Sequence, residues 1–247
     1  MTEVQEYKKF AVRDVFVEAG RAFHADFMAM GIFSVANFVL LALSVYGVGG
    51  TKHPLFLLLL LLMYVFWGVF FRFYFQKKPY LQLKPFVRSL VPSIKVVFVT
   101  VVVVWAFMLL PYIPLLFGLS SDNLGGRYLE KYLFFLQKYM QDTNLVDLGI
   151  YLSLVFVMPL ILFRPLLAWV AAILGRRGSL TTAWSKTKNN YWQFAQIAFL
   201  MNIPMLILDY LADFSRVTEI LSLLFFAPLM VYYNLVIARI YDFFYQD

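Results

Sequence analysis

The sequence predicts an all-α polytopic membrane protein, a helical bundle with six transmembrane helices, and three observations predict it. Hydrophobic residues make up 62% of the 247 residues and charged residues only 14%, against about 25% charged in a typical soluble domain. Several uncharged runs are long enough to cross roughly 30 Å of hydrocarbon. The basic residues alternate between the loops instead of forming one stripe. The chain, residues 1–247, is therefore interpreted as a single integral membrane domain.

Six apolar runs are assigned as spans, at residues 27–48, 54–71, 96–119, 148–175, 191–208 and 219–238. The first follows a mixed-charge segment and is longer than the apolar core of a signal peptide, so it is interpreted as a retained span. Glycines between residues 47 and 50, followed by Pro54, predict a tight turn between the first two spans. The short tail after Arg239 is left outside the last span.

Basic amphipathic segments lead into three of the spans and are predicted to be interfacial helices. The first places apolar residues on one face and is expected to run directly into the first span (Val12, Phe16, Ala19, Phe23 and Phe27). The second covers residues 83–94, with Pro92 expected to break the helix before the third span. These segments suggest a threefold tandem hairpin repeat, at about residues 10–71, 81–175 and 178–239. The alternative is that the chain has no internal repeat. Any protein with three transmembrane hairpins and basic cytoplasmic loops would then show the same threefold pattern.

The third amphipathic segment, Gly178–Phe194, is polar, basic and free of acids. As one helix it would place an aromatic face in the headgroups (Leu180, Trp184, Thr187 and Tyr191). Its lysines would then point toward water, as in helices that lie in a membrane interface.

The distribution of basic residues predicts the orientation. With six spans, fifteen of the 21 Lys and Arg lie on the side of both termini and five on the other side. Because cytoplasmic loops carry the excess of Lys and Arg, both termini are predicted to be cytoplasmic. The same alternation between loops argues against a nucleic-acid partner, which would need one basic face.

Arg164 is the sharpest single candidate, because a charge within a span costs roughly 2.5–3.5 kcal/mol on insertion scales. In the functional interpretation it faces the bundle and meets Asn202, Asn234 or a lipid phosphate. In the alternative it reaches the cytoplasmic headgroups, or Pro165 bends the helix so that the rest lies in the interface.

Other polar residues within the spans are candidates for packing or relay roles. Asn37, Asn202 and Asn234 are predicted to form hydrogen bonds between helices. Asp209 and Asp213 share a helix face, where they could bind a cation or simply end the span. For His24, near Asp26, and for His53 the alternatives are acid–base groups or surface residues.

The chain offers no recognisable catalytic or metal-binding pattern. It has no cysteine and only two histidines, which excludes cysteine chemistry and metal centres built on several histidines. No P-loop, dinucleotide fingerprint, hydrolase elbow or zincin motif is present. No catalytic residue, metal or cofactor is predicted, although an intramembrane enzyme with partners distant in sequence stays open.

Two acid-free basic loops are the predicted anionic-lipid-binding surface. Their members are Arg72, Lys77, Lys78, Lys84, Arg88 and Lys95 in one loop, and Arg176, Arg177, Lys186 and Lys188 in the other. Each Lys or Arg near an anionic surface contributes roughly 1 kcal/mol of attraction. The alternative is that these residues only set the topology.

The run GSLTTAWSKTKNNYW, residues 178–192, follows an apolar helix containing Pro159. It resembles the "small–leucine–x–x–serine/alanine–tryptophan" segment, followed by asparagine and an aromatic residue, of YciC-type bacterial inner-membrane proteins. The same segment occurs in membrane domains fused to glycerophosphodiester phosphodiesterases. The N-terminal run VFVEAGRAF, residues 15–23, is similar to the start of that family. The family's usual arginine near the tryptophan is replaced by Lys186 and Lys188.

The resemblance implies a bacterial inner-membrane protein with about six spans and no catalytic residues to transfer. The first functional hypothesis is a non-enzymatic scaffold, accessory or envelope-homeostasis protein that binds anionic lipid or a membrane-protein partner, or that forms a homo-oligomer. The second is a transporter or permease component for a small or amphipathic solute. The third is an intramembrane enzyme acting on lipid, which would need clustered acid–base groups on the cytoplasmic side.

Overall fold

The computed structural model describes residues 9–47, 54–76, 83–109, 163–176, 180–212 and 214–245, and these residues are helical apart from short turns, with no β-strand among them. In chain order the helices are α1 (Val12–Ala25), α2 (Phe27–Ala42), α3 (Pro54–Gln76), α4 (Leu83–Leu109), α5 (Phe163–Ile173), α6 (Leu180–Lys186), α7 (Tyr191–Ala212) and α8 (Arg216–Tyr245). A π-helical turn, Leu43–Gly47, continues α2. The predicted all-α class is confirmed.

Four stretches of the described residues are long and apolar enough to cross a membrane, namely Phe27–Tyr46, Leu58–Gln76, Tyr191–Ala212 and Arg216–Tyr245. They overlap the first, second, fifth and sixth predicted spans. The third predicted span is described only to Leu109 and the fourth only from Phe163. Residues 110–162, between the described parts of these two spans, lie outside the described residues.

The N-terminal helix α1 differs in part from its prediction. Val15 and Ala19 are buried, and Phe16 packs against the core. The helix ends at Ala25, however, and Asp26, whose φ and ψ are −116° and 41°, separates it from α2. Phe27 is exposed. The predicted helix is therefore interrupted at Asp26, and Phe27 does not share the buried face of α1.

The helix α4 runs without interruption through Pro92, so the predicted break is wrong. Proline has no N–H to donate to the carbonyl four residues earlier, that of Arg88. One missing bond does not end a long helix when the turns on both sides keep their own bonds, and membrane helices tolerate such prolines.

The last helix, α8, continues to Tyr245, well beyond the predicted end at residue 238. The tail is part of the core, where Ile240 and Tyr241 are almost fully buried and Phe244 nearly so. Ile237, Tyr241 and Phe244 have the spacing of one helix face. This spacing in the sequence indicates that the last helix continues beyond residue 238. The tail's Asp242 is only partly exposed, with an Arg239 nitrogen 3.8 Å away.

The predicted helix over Gly178–Phe194 is broken in its middle, because α6 ends at Lys186 and α7 begins at Tyr191. Asn189 has φ of 69°, the left-handed conformation that asparagine tolerates better than most residues. Thr187 is fully buried, whereas Trp184 and Tyr191 are exposed. The prediction that these three side chains share one interfacial face is wrong, because Thr187 is buried and the helix does not continue from α6 into α7.

One end of the molecule, here called the basic end, gathers α1, α6, the start of α7 and the ends of α3, α5 and α8. The ring of Phe10, just before α1, lies 5.6 Å from Phe194 near the start of α7. The same ring lies 5.7 Å from Phe244 near the end of α8. At the opposite end, α2 and α7 finish and α8 begins, with Leu41, Ala212 and Ser222 around a common cavity.

The helix α5 crosses the bundle at the basic end. Phe163, its first described residue, stacks on Phe194 with the ring centroids 5.4 Å apart. Ile173, its last residue, accepts a hydrogen bond from Arg72 near the end of α3. The described helix, Phe163–Ile173, is about 16 Å long at 1.5 Å per residue. Both of its ends therefore contact segments of the basic end.

Candidate functional site

Arg164 lies near the start of the described part of α5 and is only 8% exposed. Its Nε donates to the Thr187 hydroxyl over 3.1 Å. Its guanidinium carbon lies 4.1 Å from the centroid of the Trp184 ring, a separation typical of cation–π contacts. The guanidinium is therefore held on one edge by a hydroxyl and on one face by an indole.

The turn between α6 and α7 places Thr187 for this contact. Its backbone N–H donates to the Ala183 carbonyl over 3.1 Å, and its hydroxyl donates to the same carbonyl over 2.7 Å. The hydroxyl oxygen is thus left to accept from Arg164. Asn189 then turns the chain in the left-handed conformation. The carbonyl of the buried Asn190 accepts from the N–H of Phe194 and starts α7.

Arg72, which the sequence places in a lipid-binding loop, lies within α3 and is 4% exposed. Its Nε donates to the Ile173 carbonyl over 2.8 Å. A terminal nitrogen donates to the Ser89 hydroxyl over 3.0 Å. One side chain thus links α3, α4 and α5.

The end of α5 explains why Arg72 is held there. Gly175, with φ of 75°, donates its N–H to the Ala172 carbonyl, and Arg176 donates its N–H to the Ala171 carbonyl. This is the Schellman arrangement of a helix end. The Ile173 carbonyl remains outside that arrangement and is satisfied by Arg72. The cation also lies at the negative end of the helix dipole.

Two cations of the second predicted loop contact the C-terminal tyrosines. Arg176 donates from a terminal nitrogen to the Tyr245 carbonyl over 3.1 Å. The ammonium of Lys186 lies 4.8 Å from the centroid of the Tyr245 ring. That ring is stacked on Tyr241 at a centroid distance of 4.4 Å. The end of α8 is therefore fastened to the segments that follow α5.

The other predicted lipid-binding cations have different surroundings. Arg88, Lys95 and Lys188 are exposed. Arg88 and Lys95 are seven residues apart on α4, which places them on one helix face. Lys84 lies in the first turn of α4. Lys77, Lys78 and Arg177 lie outside the described residues.

The three predicted intramembrane asparagines do not contribute to the Arg164 site. Asn37 is buried and donates from Nδ2 to the Ala227 carbonyl over 3.2 Å, which links α2 to α8. Asn202 donates to Ala198 and Asn234 to Met230, so these two bond within their own helices.

The acidic and histidine candidates are placed as follows. His24 and Asp26 are exposed near the end of α1. Asp209 lies in α7, whereas His53 and Asp213 are outside the described residues. No group of three or more His, Cys, Asp or Glu in the described part of the chain could hold a metal ion.

A cavity of about 440 Å³ lies between α3, α4, α5, α7 and α8. Its lining includes Tyr64, Thr100, Pro165, Leu166, Trp169 and Met201. The Tyr64 hydroxyl is hydrogen-bonded to the Ser93 hydroxyl. Among the described residues, the buried Trp169 Nε1 has no hydrogen-bond partner. Arg164 is not part of the lining, but its neighbours Pro165 and Leu166 are.

Sequence reasoning identified Arg164 but missed the two residues that hold it in place. Trp184 lies in the last turn of α6 and Thr187 directly follows that helix, three residues later, so side chains at these positions can reach one partner. The nearest sequence segments also contain no acid. A buried arginine without a carboxylate needs hydroxyl, carbonyl or aromatic partners, and this was the signal available.

No protein-family model, no curated protein and no solved structure matches the chain.

Proposed function

We propose that the chain is a non-enzymatic integral protein of the bacterial inner membrane that binds anionic lipid at its basic end. In this proposal it belongs with the YciC-type proteins and has six spans, arranged as three hairpins, with both termini cytoplasmic. Its role would be that of a scaffold, accessory or envelope-homeostasis protein. The observation that carries the proposal is the fixed guanidinium of Arg164.

The donors of Arg164 suit a phosphate group. A guanidinium carries five N–H donors in a rigid fork, and the Nε–H is occupied by Thr187. The terminal nitrogens keep the paired donors that match a phosphate in bidentate fashion. In the described part of the chain no ion pair to a carboxylate involves Arg164. Within those residues, therefore, no neighbouring acid neutralises the positive charge of Arg164.

The surroundings of Arg164 suit a lipid headgroup. Trp184 is 54% exposed and Tyr191 is 51% exposed, and such rings are enriched where membrane meets water. Two exposed cations belong to segments at the same end of the molecule: Arg88, which precedes the Ser89 that pairs with Arg72, and Lys188 in the turn after α6. Each would add roughly 1 kcal/mol of attraction to an anionic surface. In this proposal the basic end lies on the cytoplasmic side, where the positive-inside rule places the excess of Lys and Arg.

The test is retention of phosphatidylglycerol in nanodiscs, measured by native mass spectrometry. The intact chain is expected to keep phosphatidylglycerol in preference to phosphatidylcholine. Arg164→Gln should reduce that preference several-fold, and Arg164→Lys should restore it only in part, because an ammonium lacks the planar fork. The matched control is Arg216→Gln at the exposed start of α8, at the opposite end, which should change nothing.

Equal retention in Arg164→Gln and in the intact chain would overturn the assignment of the headgroup. Helical content and melting temperature, measured by circular dichroism, show whether each variant folds. Extraction in native membrane patches answers the question of a partner, because a second protein or a second copy of the chain adds its own mass to the complex.

A further inference from the structure

We infer that the cavity between α3, α4, α5, α7 and α8 holds one acyl chain of the lipid whose phosphate binds Arg164. This inference rests on the proposed function for the headgroup and adds a site for the hydrocarbon. It assigns the cavity to a membrane lipid and not to a polar solute.

The distance of the cavity from the basic end matches the position of the acyl chains of a lipid whose headgroup lies at that end. Met201 lies ten residues after the start of α7, and Asn234 lies eleven residues before the end of α8. Both residues line the cavity. At 1.5 Å per residue they are about 15 Å from the basic end, roughly half of the hydrocarbon thickness. The acyl chains of a lipid whose headgroup lies at the basic end would therefore reach the level of the cavity.

The helix α5 connects this depth to Arg164. Pro165, Leu166 and Trp169 line the cavity, while both ends of α5 contact segments of the basic end. The cavity thus lies on the membrane side of α5. Arg164 directly precedes Pro165, so a phosphate at Arg164 lies within one helical turn of residues that line the cavity.

The lining favours hydrocarbon because most of its polar groups are already engaged, the exception being Trp169 Nε1. The Thr100 hydroxyl donates to the Val96 carbonyl, and the Asn234 amide donates to the Met230 carbonyl. The Tyr64 hydroxyl pairs with the Ser93 hydroxyl. A polar solute would find few free partners here, whereas an acyl chain requires none.

The size and side chains of the cavity suit a flexible chain. An apolar cavity of about 150 Å³ accommodates benzene and stays dry, and this one has about 440 Å³. Met201, Met205 and Met230 form part of its wall. Methionine is unbranched and adapts to irregular apolar shapes, so these side chains can follow chains of different conformation.

The probe is phosphatidylglycerol with a diazirine at the end of one acyl chain, added to the full-length protein in nanodiscs and activated by light. Labelled residues are located by tandem mass spectrometry. We expect labels on Met201, Met205 and Met230. Labels found only on exposed side chains such as Phe199 and Leu224 would overturn the inference.

Substitutions that fill the cavity are compared with the same substitutions at exposed positions outside it. Thr100→Phe adds a ring at a lining position and should lower the label on the three methionines several-fold. Val99→Phe adds the same ring at an exposed, non-lining position of α4 and should leave the label unchanged. Met230→Phe, with Leu224→Phe as its control, repeats the comparison on α8 if the α4 variant does not fold. An unchanged label in both filled variants overturns the inference.

The two proposals fail in distinguishable ways. In one case, Arg164→Gln loses the preference for phosphatidylglycerol but Thr100→Phe does not change the label. The headgroup site is then supported and the acyl-chain site in the cavity is rejected. In the opposite case, Thr100→Phe removes the label while Arg164→Gln changes neither the label nor the preference for phosphatidylglycerol. That result overturns the assignment of the headgroup to Arg164. It also shows that the acyl chain in the cavity does not belong to a lipid bound at Arg164.

Discussion

The two halves of α8 have similar apolar sequences and opposite surroundings. In the first half, Val217, Ile220 and Phe225 are exposed. In the second half, Val231, Leu235 and Ile240 are completely buried. The second half is enclosed near the basic end by the ring of Phe10, by Phe16 of α1 and by Phe75 of α3. Hydropathy alone therefore does not separate protein-facing from lipid-facing residues.

This comparison locates the specific interactions of the fold. In lipid, an apolar side chain gains little by moving from hydrocarbon to protein, so close packing and hydrogen bonds stabilise the bundle. Such contacts are concentrated around the second half of α8. Tyr232 donates to the Phe16 carbonyl over 2.9 Å, and Arg176 donates to the Tyr245 carbonyl. The basic end is thus expected to be the most stable part of the described structure.

The largest expected effect is that of Phe244→Ala in the buried half of α8. Phe244 is 7% exposed and its ring contacts those of Phe10 and Phe194. Removing a buried ring from a packed core lowers the free energy of unfolding by about 3–5 kcal/mol. Unfolding by SDS titration in bicelles, followed by circular dichroism, measures the loss.

The control for this prediction is Phe225→Ala in the other half of α8. Phe225 is exposed, and lipid chains can fill the space that its ring leaves. Its effect on the free energy of unfolding should stay within about 0.5 kcal/mol. Similar losses for the two variants would show that the two halves do not differ as described.

Much of this fold follows from sequence patterns. The helical class and four long apolar helices follow from hydropathy, which responds directly to the thickness of the bilayer. The buried face of α1, with Val15 and Ala19, follows the helical period in part. The break of the helix at Asn189 and the continuation of α4 through Pro92 were not predicted from the sequence. Each depends on a free-energy difference of about one hydrogen bond, which sequence patterns do not resolve.

The roles of the basic residues were the hardest to predict. Arg72 and Arg88 both occur in an acid-free stretch that reads as one loop, yet one is buried and the other exposed. The difference arises because Arg72 meets the end of α5, about a hundred residues later in the chain. A sequence pattern cannot predict a contact at that separation, whereas the site around Trp184 and Thr187 lies within one short segment.

The second expected effect concerns Arg72→Met, which removes a link among α3, α4 and α5. The change leaves the Ile173 carbonyl without the Nε donor and the Ser89 hydroxyl without the terminal nitrogen. A buried acceptor that loses a charged donor costs about 1.5–3 kcal/mol. Arg88→Met on the exposed face of α4 is the matched control and should be almost neutral. A melting temperature that falls equally in both variants contradicts the structural role of Arg72.

The smallest expected effect comes from Asn189, which is exposed and acts through its backbone. Its φ of 69° costs most residues roughly 1–2 kcal/mol, but asparagine less and glycine almost nothing. Asn189→Val should therefore lower the free energy of unfolding by about 1 kcal/mol, whereas Asn189→Gly should be neutral. Because this turn also places Thr187 beneath Arg164, Asn189→Val should weaken the preference for phosphatidylglycerol, and Asn189→Gly should preserve it. Loss of the preference in both variants would mean that the asparagine side chain itself contributes to the lipid site.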